Sequence, residues 1–317
     1  MGGVGDVDGD GFGELLIGER DFFVNNHGRV WMYPGSAGGP LPAAVAAWEG
    51  SLSHQRVGSH VWPPGDLDQD GYADWQLAAG PTGGDRRLAV VFGGPGGTTR
   101  AGSIFTGDLT FTSNGSDGFG ASLAAIGDAD GNGRPELAIG ATLQASEAGV
   151  VRSYEADVDT IGAAAGSIGP SSGGQGFNSY NMAVGDVNHD GYDDLALGLW
   201  RLDTVWVVYG GPEGLPASPA APDHLLTGSV PGEGFGRGVS FGDVNGDGWL
   251  DLFIGSNDEV DSAGTGGSAE LRLGGPGGFE ETPAWTVAGG QPGAQFGKGI
   301  AVADYNADGF DDAVVLS

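Results

Sequence analysis

An all-β chain of repeated, glycine-turned units is the fold this sequence predicts, and three observations predict it. Glycine and proline number 66 and 17 of 317 residues, separated by short runs of Val, Leu, Ile and aromatic residues. That mix disfavours long helices and favours short strands joined by tight turns. One acidic pattern also recurs six times, with first residues 60, 62, 58, 57 and 61 positions apart. A period near sixty holds about four short strands with their connections, which is the size of a β-propeller blade.

The six copies start at Asp6, Asp66, Asp128, Asp186, Asp243 and Asp304. Each has Asp or Asn at positions three and five, Gly at six, and Asp or Glu at nine. The first reads Asp6, Asp8, Asp10, Gly11, Glu14, and the second Asp66, Asp68, Asp70, Gly71, Asp74. The third reads Asp128, Asp130, Asn132, Gly133, Glu136, and the fourth Asp186, Asn188, Asp190, Gly191, Asp194. The fifth reads Asp243, Asn245, Asp247, Gly248, Asp251, and the last Asp304, Asn306, Asp308, Gly309, Asp312. Alternate residues of such a loop can aim side-chain oxygens at one centre, and the glycine lets the position-seven carbonyl join them. That donor set suits Ca2+, with up to six sites; Mg2+ prefers a smaller, stiffer octahedron.

An EF-hand needs a bidentate Glu at position twelve, followed by a helix. Here the twelfth residues are Ile17, Leu77, Ile139, Leu197, Ile254 and Val315, inside apolar runs that read as buried strands. Each loop is therefore a hairpin connection between strands. Asp-Gly and Asn-Gly pairs make good hairpin turns without any metal, yet a turn alone does not call for a carboxylate three residues beyond the glycine.

The fifth unit shows its strands most plainly: 238–241 before the loop, then 250–255, 269–273 and 284–288. The third strand ends in Gly274-Gly275-Pro276, an ending repeated at Phe92-Gly93-Gly94-Pro95 and Tyr209-Gly210-Gly211-Pro212. Phe-Gly pairs precede three of the loops, at Phe119-Gly120, Phe235-Gly236 and Phe296-Gly297. Val57-Gly58 and Phe177-Asn178 depart from that pair, and the stretch 154–169 resists assignment to strands.

Net charge is −30, from 42 acidic and 12 basic residues, and 20 of the acids sit at the proposed ligand positions. Six divalent ions would bring −30 to −18. Crowded like charges oppose folding, so calcium is expected to be part of the fold. No basic face exists to neutralise phosphates, which excludes nucleic acid as a partner. No apolar run reaches the ~18 residues of a membrane span, so membrane insertion is not expected. Zero cysteines exclude disulfides and thiolate sites. His27, His54, His60, His189 and His224 share no motif, and neither a nucleophile elbow nor a phosphate loop is present. The chain is read as no enzyme.

With these motifs in combination, the chain resembles the FG-GAP repeat family, the blades of the integrin α-subunit β-propeller and its bacterial secreted relatives. The resemblance covers essentially residues 1–317 as one domain, with units at about 1–55, 56–117, 118–175, 176–233, 234–294 and 295–317. The first and last are incomplete, giving about five and a half four-stranded blades and implying missing blades of a seven-bladed ring in a longer parent. It implies calcium ligands at positions one, three, five, seven and nine, the seventh through the carbonyls of Phe12, Tyr72, Arg134, Tyr192, Trp249 and Phe310, whose side chains pack between blades.

The resemblance also implies an extracellular or cell-surface place and work as an adhesion or ligand-binding module for a protein or glycan. An accessory or carbohydrate-binding propeller of a secreted polysaccharide lyase or hydrolase, or a lectin, is the alternative. Trp48, Trp75 and Trp285 fall in strand slots. Phe22, Phe23, Trp200 and Arg201 lie between second and third strands, on the face where the family binds ligands, and are read as exposed ligand-contact candidates.

Overall fold

The computed structural model describes residues 2–3, 5–19, 21–22, 27–49, 56–58, 60–79, 87–95, 97, 109–112, 119–141, 150–156, 161–168, 181–216, 221–257, 266–306 and 308–317. Among them there is no helix; all regular structure is β. Two compact units divide the chain. The first holds Met1–Gly120, Arg134–Ile139 and Tyr154–Ala164, and the second Ala121–Gly133, Gly140–Ser153 and Ala165–Ser317.

In the first unit, β1 (Gly2–Gly3), β2 (Leu15–Glu19), β3 (Arg29–Tyr33) and β4 (Ala46–Glu49) form one sheet in chain order. A second sheet follows in the same order: β5 (His60–Gly65), β6 (Asp74–Ala79), β7 (Arg87–Val91) and β8 (Leu109–Thr112). The residues of β9 (Phe119–Ala125), β10 (Glu136–Ala141), β11 (Val150–Ala156) and β12 (Ile161–Ile168) are divided between the units. The last two strands correct the expectation that 154–169 resists assignment. An alanine- and glycine-rich run such as Ile161–Ile168 lacks intrinsic strand preference, and pairing decides its state instead.

The second unit carries β13 (Met182–Gly185), β14 (Asp194–Leu199), β15 (Thr204–Val208) and β16 (His224–Thr227), again in chain order. Next come β17 (Phe235–Gly242), β18 (Asp251–Ser256), β19 (Ser268–Arg272) and β20 (Trp285–Ala288), and finally the pair β21 (Gly299–Ala303) and β22 (Asp312–Leu316). Every registered pair is antiparallel; Leu195 faces Val208, and Leu252 faces Arg272. In the fifth unit, β18, β19 and β20 lie within one residue of the expected ranges, and β17 begins three residues earlier than expected.

Two of the second strands are the most protected elements of the second unit. β14 and β18 are buried at every residue, covered on both faces, whereas the fourth strand β20 is mostly exposed. In the first unit, Leu16, Trp75, Leu77, Val30 and Trp48 share one core, with Trp48 and Trp75 edge to face at 4.4 Å. In the second, Val205, Val207, Phe235, Leu252 and Ile254 do the same. The Phe of Phe235-Gly236 is thus a core residue.

Its glycine has a different cause. Gly58, Gly236 and Gly297 are left-handed, with φ of 76°, 87° and 90°, a conformation that favours glycine. The carbonyl of each lies where a Cβ would stand on the second-strand glycine of the preceding sheet: Gly58 against Gly18, Gly236 against Gly198, Gly297 against Gly255. Two motifs that look independent in the sequence are the two halves of one close sheet-to-sheet approach. Val57-Gly58, a departure from Phe-Gly, keeps the glycine and with it the approach.

Candidate functional site: six acidic hairpin loops

Each acidic loop joins the first strand of a sheet to its second, and its side chains are held by the loop's own backbone. The position-one carboxylate does most of this. In all six loops its Oδ2 accepts the N–H of the position-six glycine, at 2.8–3.0 Å from Asp6, Asp66, Asp128, Asp186, Asp243 and Asp304. Its other oxygen accepts the position-five N–H in four loops, from Asp10, Asp70, Asp190 and Asp308. Position five in turn accepts the position-seven N–H, from Phe12, Tyr72, Tyr192, Trp249 and Phe310. Position four is left-handed wherever it is described: Gly9 78°, Gln69 59°, Gly131 74°, His189 61° and Gly246 71°.

These bonds fold each loop so that alternate side chains share one side. Oxygens of Asp6, Asp8 and Asp10 lie within 4.8 Å of one another, as do those of Asp66, Asp68 and Asp70. Such a set of hard oxygen donors could hold a divalent ion. In the third loop Asp128 and Asp130 belong to the second unit, while Arg134, exposed, and Glu136, buried, belong to the first. Asp128 Oδ1 is buried without a hydrogen-bond partner, an orphaned carboxylate oxygen that a cation would satisfy. In the loops with Asn188 and Asn245, the asparagine Nδ2 donates 2.9 Å bonds to Asp190 and Asp247. The sixth loop, Asp304 to Asp312 with Asn306 and Phe310, closes similarly through Asp304 and Asp308.

Position nine has a second duty. One oxygen of Glu14, Asp74, Asp194, Asp251 and Asp312 accepts the position-two N–H, from Val7, Leu67, Val187, Val244 and Tyr305 at 2.6–3.2 Å. The other oxygen accepts a glycine N–H at the end of the third strand, from Gly35, Gly93, Gly210 and Gly274. This corrects the argument that only a cation explains the ninth carboxylate: it also straps the loop to the third strand. It explains the glycine ending that the sequence showed without a reason.

Burial without a counter-charge raises these acids. Asp74 is pushed up to about 7 by desolvation, offset by its Gly93 and Leu67 bonds and reinforced by Asp68 and Asp66. Asp194 is pushed up to about 6, again by desolvation first, with Asp190 and Asp186 adding. Glu14, Asp68 and Asp251 move up for the same leading reason.

Neighbouring loops within a unit touch through position seven. The Tyr72 ring covers Gly9, Tyr192 covers Gly131, and Phe310 covers Gly246, each with a ring carbon 2.5 Å from where a Cβ would stand. Trp249 stacks flat on His189 with centroids 4.0 Å apart. Backbone bonds reinforce this: Ala73 N–H to Asp6, Asp193 N–H to Asp128, and Asp311 N–H to Asp243, at 2.8, 3.2 and 3.0 Å. The Asp193 and Asp311 carboxylates return bonds to the Asp128 and Asp243 N–H groups.

The ligand-contact candidates fare differently. Phe23 lies outside the described residues. Phe22 is half-buried under the Arg29 guanidinium at 3.4 Å, and Arg29 also pairs with Glu19 and Glu49. Trp200 is only 9% exposed. Both corrections share a cause: a nearby arginine lies over each ring, so neither aromatic is an open platform. Arg201 is exposed, as expected.

Known proteins resemble this chain in two ways. Residues 235–269 match the FG-GAP repeat family model. Human integrin alpha-IIb is 35% identical over 149 residues, 44% of this chain and 14% of that protein. Integrin alpha-5 of Xenopus laevis is 35% identical over 147 residues, 43% of this chain and 14% of that protein. The chain thus spans a small part of these relatives' length. Among solved structures, rhamnogalacturonan lyase YesW superposes with TM-score 0.51 at 17% identity, over 99% of this chain and 54% of that one. The Bacillus licheniformis rhamnogalacturonan lyase PL11 gives 0.50 at 16% identity, over 99% and 54%. At that identity the likeness is one of fold.

Proposed function

We propose that this chain, which is FG-GAP and integrin-α-like, is a non-catalytic, calcium-stabilised β-propeller that acts outside the cell as a ligand-binding or adhesion module. The observation that carries this reading is the repetition of one loop geometry six times, with the position-one carboxylate clamped on the position-six N–H in each. Calcium would be held by positions one, three, five and nine and by the position-seven carbonyl. When bound, it would supply positive charge where these carboxylates now have only backbone N–H partners and one another. Extracellular calcium is abundant enough for sites of about 10⁻⁴ to 10⁻³ M affinity. The ring implied by the repeats is part of the same proposal, as is the assignment of 1–317 to one domain.

The test is thermal unfolding in excess calcium, excess magnesium and chelator, with bound metal counted by elemental analysis. A site at 100 times its dissociation constant adds about 2.7 kcal/mol. Several bound calcium ions per chain and a large calcium-selective rise in midpoint are expected. A chain that binds no calcium and melts identically in chelator would remove the reading's support.

A second reading is favoured by the fold likeness to two lyases across 99% of this chain. There the chain is an accessory or carbohydrate-binding part of a secreted polysaccharide-acting protein. Glycan binding without binding to protein partners would select it.

A further inference from the structure

The bonds between consecutive loops, taken with those inside each loop, form continuous paths from one set of proposed ligands to the next. Ala73, at position eight of the second loop, donates its N–H to the Asp6 carbonyl at 2.8 Å. A trans peptide is planar with its C=O and N–H opposed, so the Tyr72 carbonyl on the same peptide group points away from the first loop. That carbonyl is the position-seven oxygen of the second loop. On the far side, the Asp6 carbonyl shares its peptide group with the Val7 N–H, which donates to Glu14 Oε2 at 2.6 Å. Two peptide groups and two hydrogen bonds thus run from the seventh position of the second loop to the ninth carboxylate of the first.

The path recurs in the second unit. The Asp311 N–H donates to Asp243 at 3.0 Å and the Val244 N–H to Asp251 Oδ2 at 3.1 Å, which links Phe310 of the sixth loop to the fifth. The Asp193 N–H makes the first of these bonds, to Asp128 at 3.2 Å. A second tie joins the first loop to the second and the third to the fourth. The position-two carbonyls of Val7 and Ala129 accept the N–H groups of Gly94 and Gly211, each at 2.9 Å, beside the glycines that hold Asp74 and Asp194.

Elsewhere the path is cut. Position eight of the third loop is Pro135, which has no N–H to give to the second loop. Leu250, at position eight of the fifth loop, makes no backbone hydrogen bond to Asp186 among the described residues.

We infer that the loops take up calcium as three coupled pairs, first with second, third with fourth and fifth with sixth, through the peptide group between positions seven and eight. Filling a loop fixes its position-seven carbonyl. The N–H of the same peptide then holds positions one and two of the preceding loop against that loop's own ninth carboxylate. The ordering cost is shared, so the partner loop binds from an already ordered state. Bonds in such a chain also polarise one another, and the coupling is reciprocal. Repulsion between filled neighbours works the other way, but salt screens it and leaves the hydrogen-bonded path intact.

This inference rests on the calcium-binding reading above, and one experiment separates the two. Each loop carries its own reporter, because its position-six glycine N–H bonds its position-one carboxylate. Calcium is titrated into isotope-labelled chain by nuclear magnetic resonance at about 1 M salt, where the screening length is about 3 Å, following those six amides. Emptying the second loop by Asp70→Ala should weaken calcium binding read at Gly11 by about fivefold or more and leave Gly133 unchanged. Ala73→Pro removes the donor and no ligand, and Pro135 shows that a loop of this kind accommodates proline there. In that background, Asp70→Ala should no longer affect Gly11. Should Ala73→Pro fail to fold, Asp308→Ala puts the same question to the last pair, with a weakening expected at Gly248 and none at Gly191. Indifference of Gly11 to Asp70→Ala, an equal effect with and without the Ala73 donor, or a loss at Gly133 or Gly191 as large as at the paired loop would overturn the pairing. Six glycines that ignore calcium in the unaltered chain would overturn the calcium reading instead.

Discussion

In the first unit, the loops at Asp6–Glu14 and Asp66–Asp74 place Asp8 and Asp68 at position three; in the second, the loops starting at Asp186 and Asp243 place Asn188 and Asn245 there. All four share the bonds from the position-six N–H to position one and from the position-seven N–H to position five. What differs is how the metal-free loop tolerates its own charge. Asn188 and Asn245 each donate 2.9 Å to the position-five carboxylate, an internal substitute for a cation. Asp68 can only repel, and it is raised by desolvation first and then by Asp70 and Asp66. Asp74 in that loop and Asp194 in the amide-bearing loop are both raised, by desolvation first and by neighbouring aspartates after it. If the proposed calcium binds, loops of the first kind should gain more stability from it than loops of the second.

The largest effect expected is one the two regions should share. Asp74→Ala leaves the Leu67 and Gly93 N–H groups without acceptors, and Asp194→Ala does the same to Val187 and Gly210. At about 1–3 kcal/mol for each of the two orphans, either change should cost about 2–6 kcal/mol in urea unfolding. The loss should persist in chelator. If it vanished there, position nine would act only through the metal and the strap would be energetically idle.

Exchanging position three should convert one kind of loop into the other. Asp68→Asn should weaken calcium binding at that loop by about tenfold, since ligand charge tunes such sites, while stabilising the chelated chain. Asn188→Asp should do the opposite on both counts. Calorimetric calcium titration beside melting in chelator reads both. Equal affinities before and after the exchange would mean that position three is no ligand.

The pH dependence follows from the direction of the shifts. A carboxyl raised in the folded state binds its proton more tightly there than in the unfolded chain, so stability falls as pH rises between the two values. For Asp74 that window runs from about 4, the ordinary value, to about 7, and for Asp194 to about 6. The chelated chain should therefore melt at a higher temperature at pH 5 than at pH 8. Saturating calcium, which favours the ionised form, should shrink or reverse that slope. A chelated chain that gains stability up to pH 8 would contradict the account of uncompensated burial.

Much of this was legible in the sequence because the loop is local. Its five oxygen-bearing positions and its glycine fall within nine residues, so the shared loop geometry follows from spacing. The strands of the fifth repeat were equally readable from apolar runs between glycines. What escaped was whatever depends on a partner far along the chain. The Gly93, Gly210 and Gly274 endings serve carboxylates 16 to 23 residues earlier, and Gly236 serves Gly198 of the preceding sheet. Trp200 looked exposed because its loop position said so; the guanidinium of Arg237, another distant residue, lies over its ring. Arg237 itself carried no signal in the sequence beyond being one of few cations in an acidic chain.

The smallest effect concerns the contact between consecutive loops, where the two units differ again. At three of these contacts position eight is Ala73 in the first unit and Asp193 and Asp311 in the second, while the fifth loop has Leu250 there. All three give a backbone N–H to the preceding loop's first residue. Only the aspartates also accept that residue's own N–H, at 3.1 Å for Asp128 and 2.9 Å for Asp243. Asp193→Ala should reduce this junction to the form seen at Ala73, at a cost of about 1 kcal/mol in calcium. In chelator the cost should shrink, because Asp193 is itself raised by burial first and by Asp186 and Asp128 after it. Removing it relieves repulsion that calcium would otherwise screen. The calcium dependence of the loss is the informative quantity. A loss that is the same with and without the ion would make Asp193 a plain hydrogen-bonding residue, and one that grows with calcium would show that adjacent loops feel each other's occupancy through position eight.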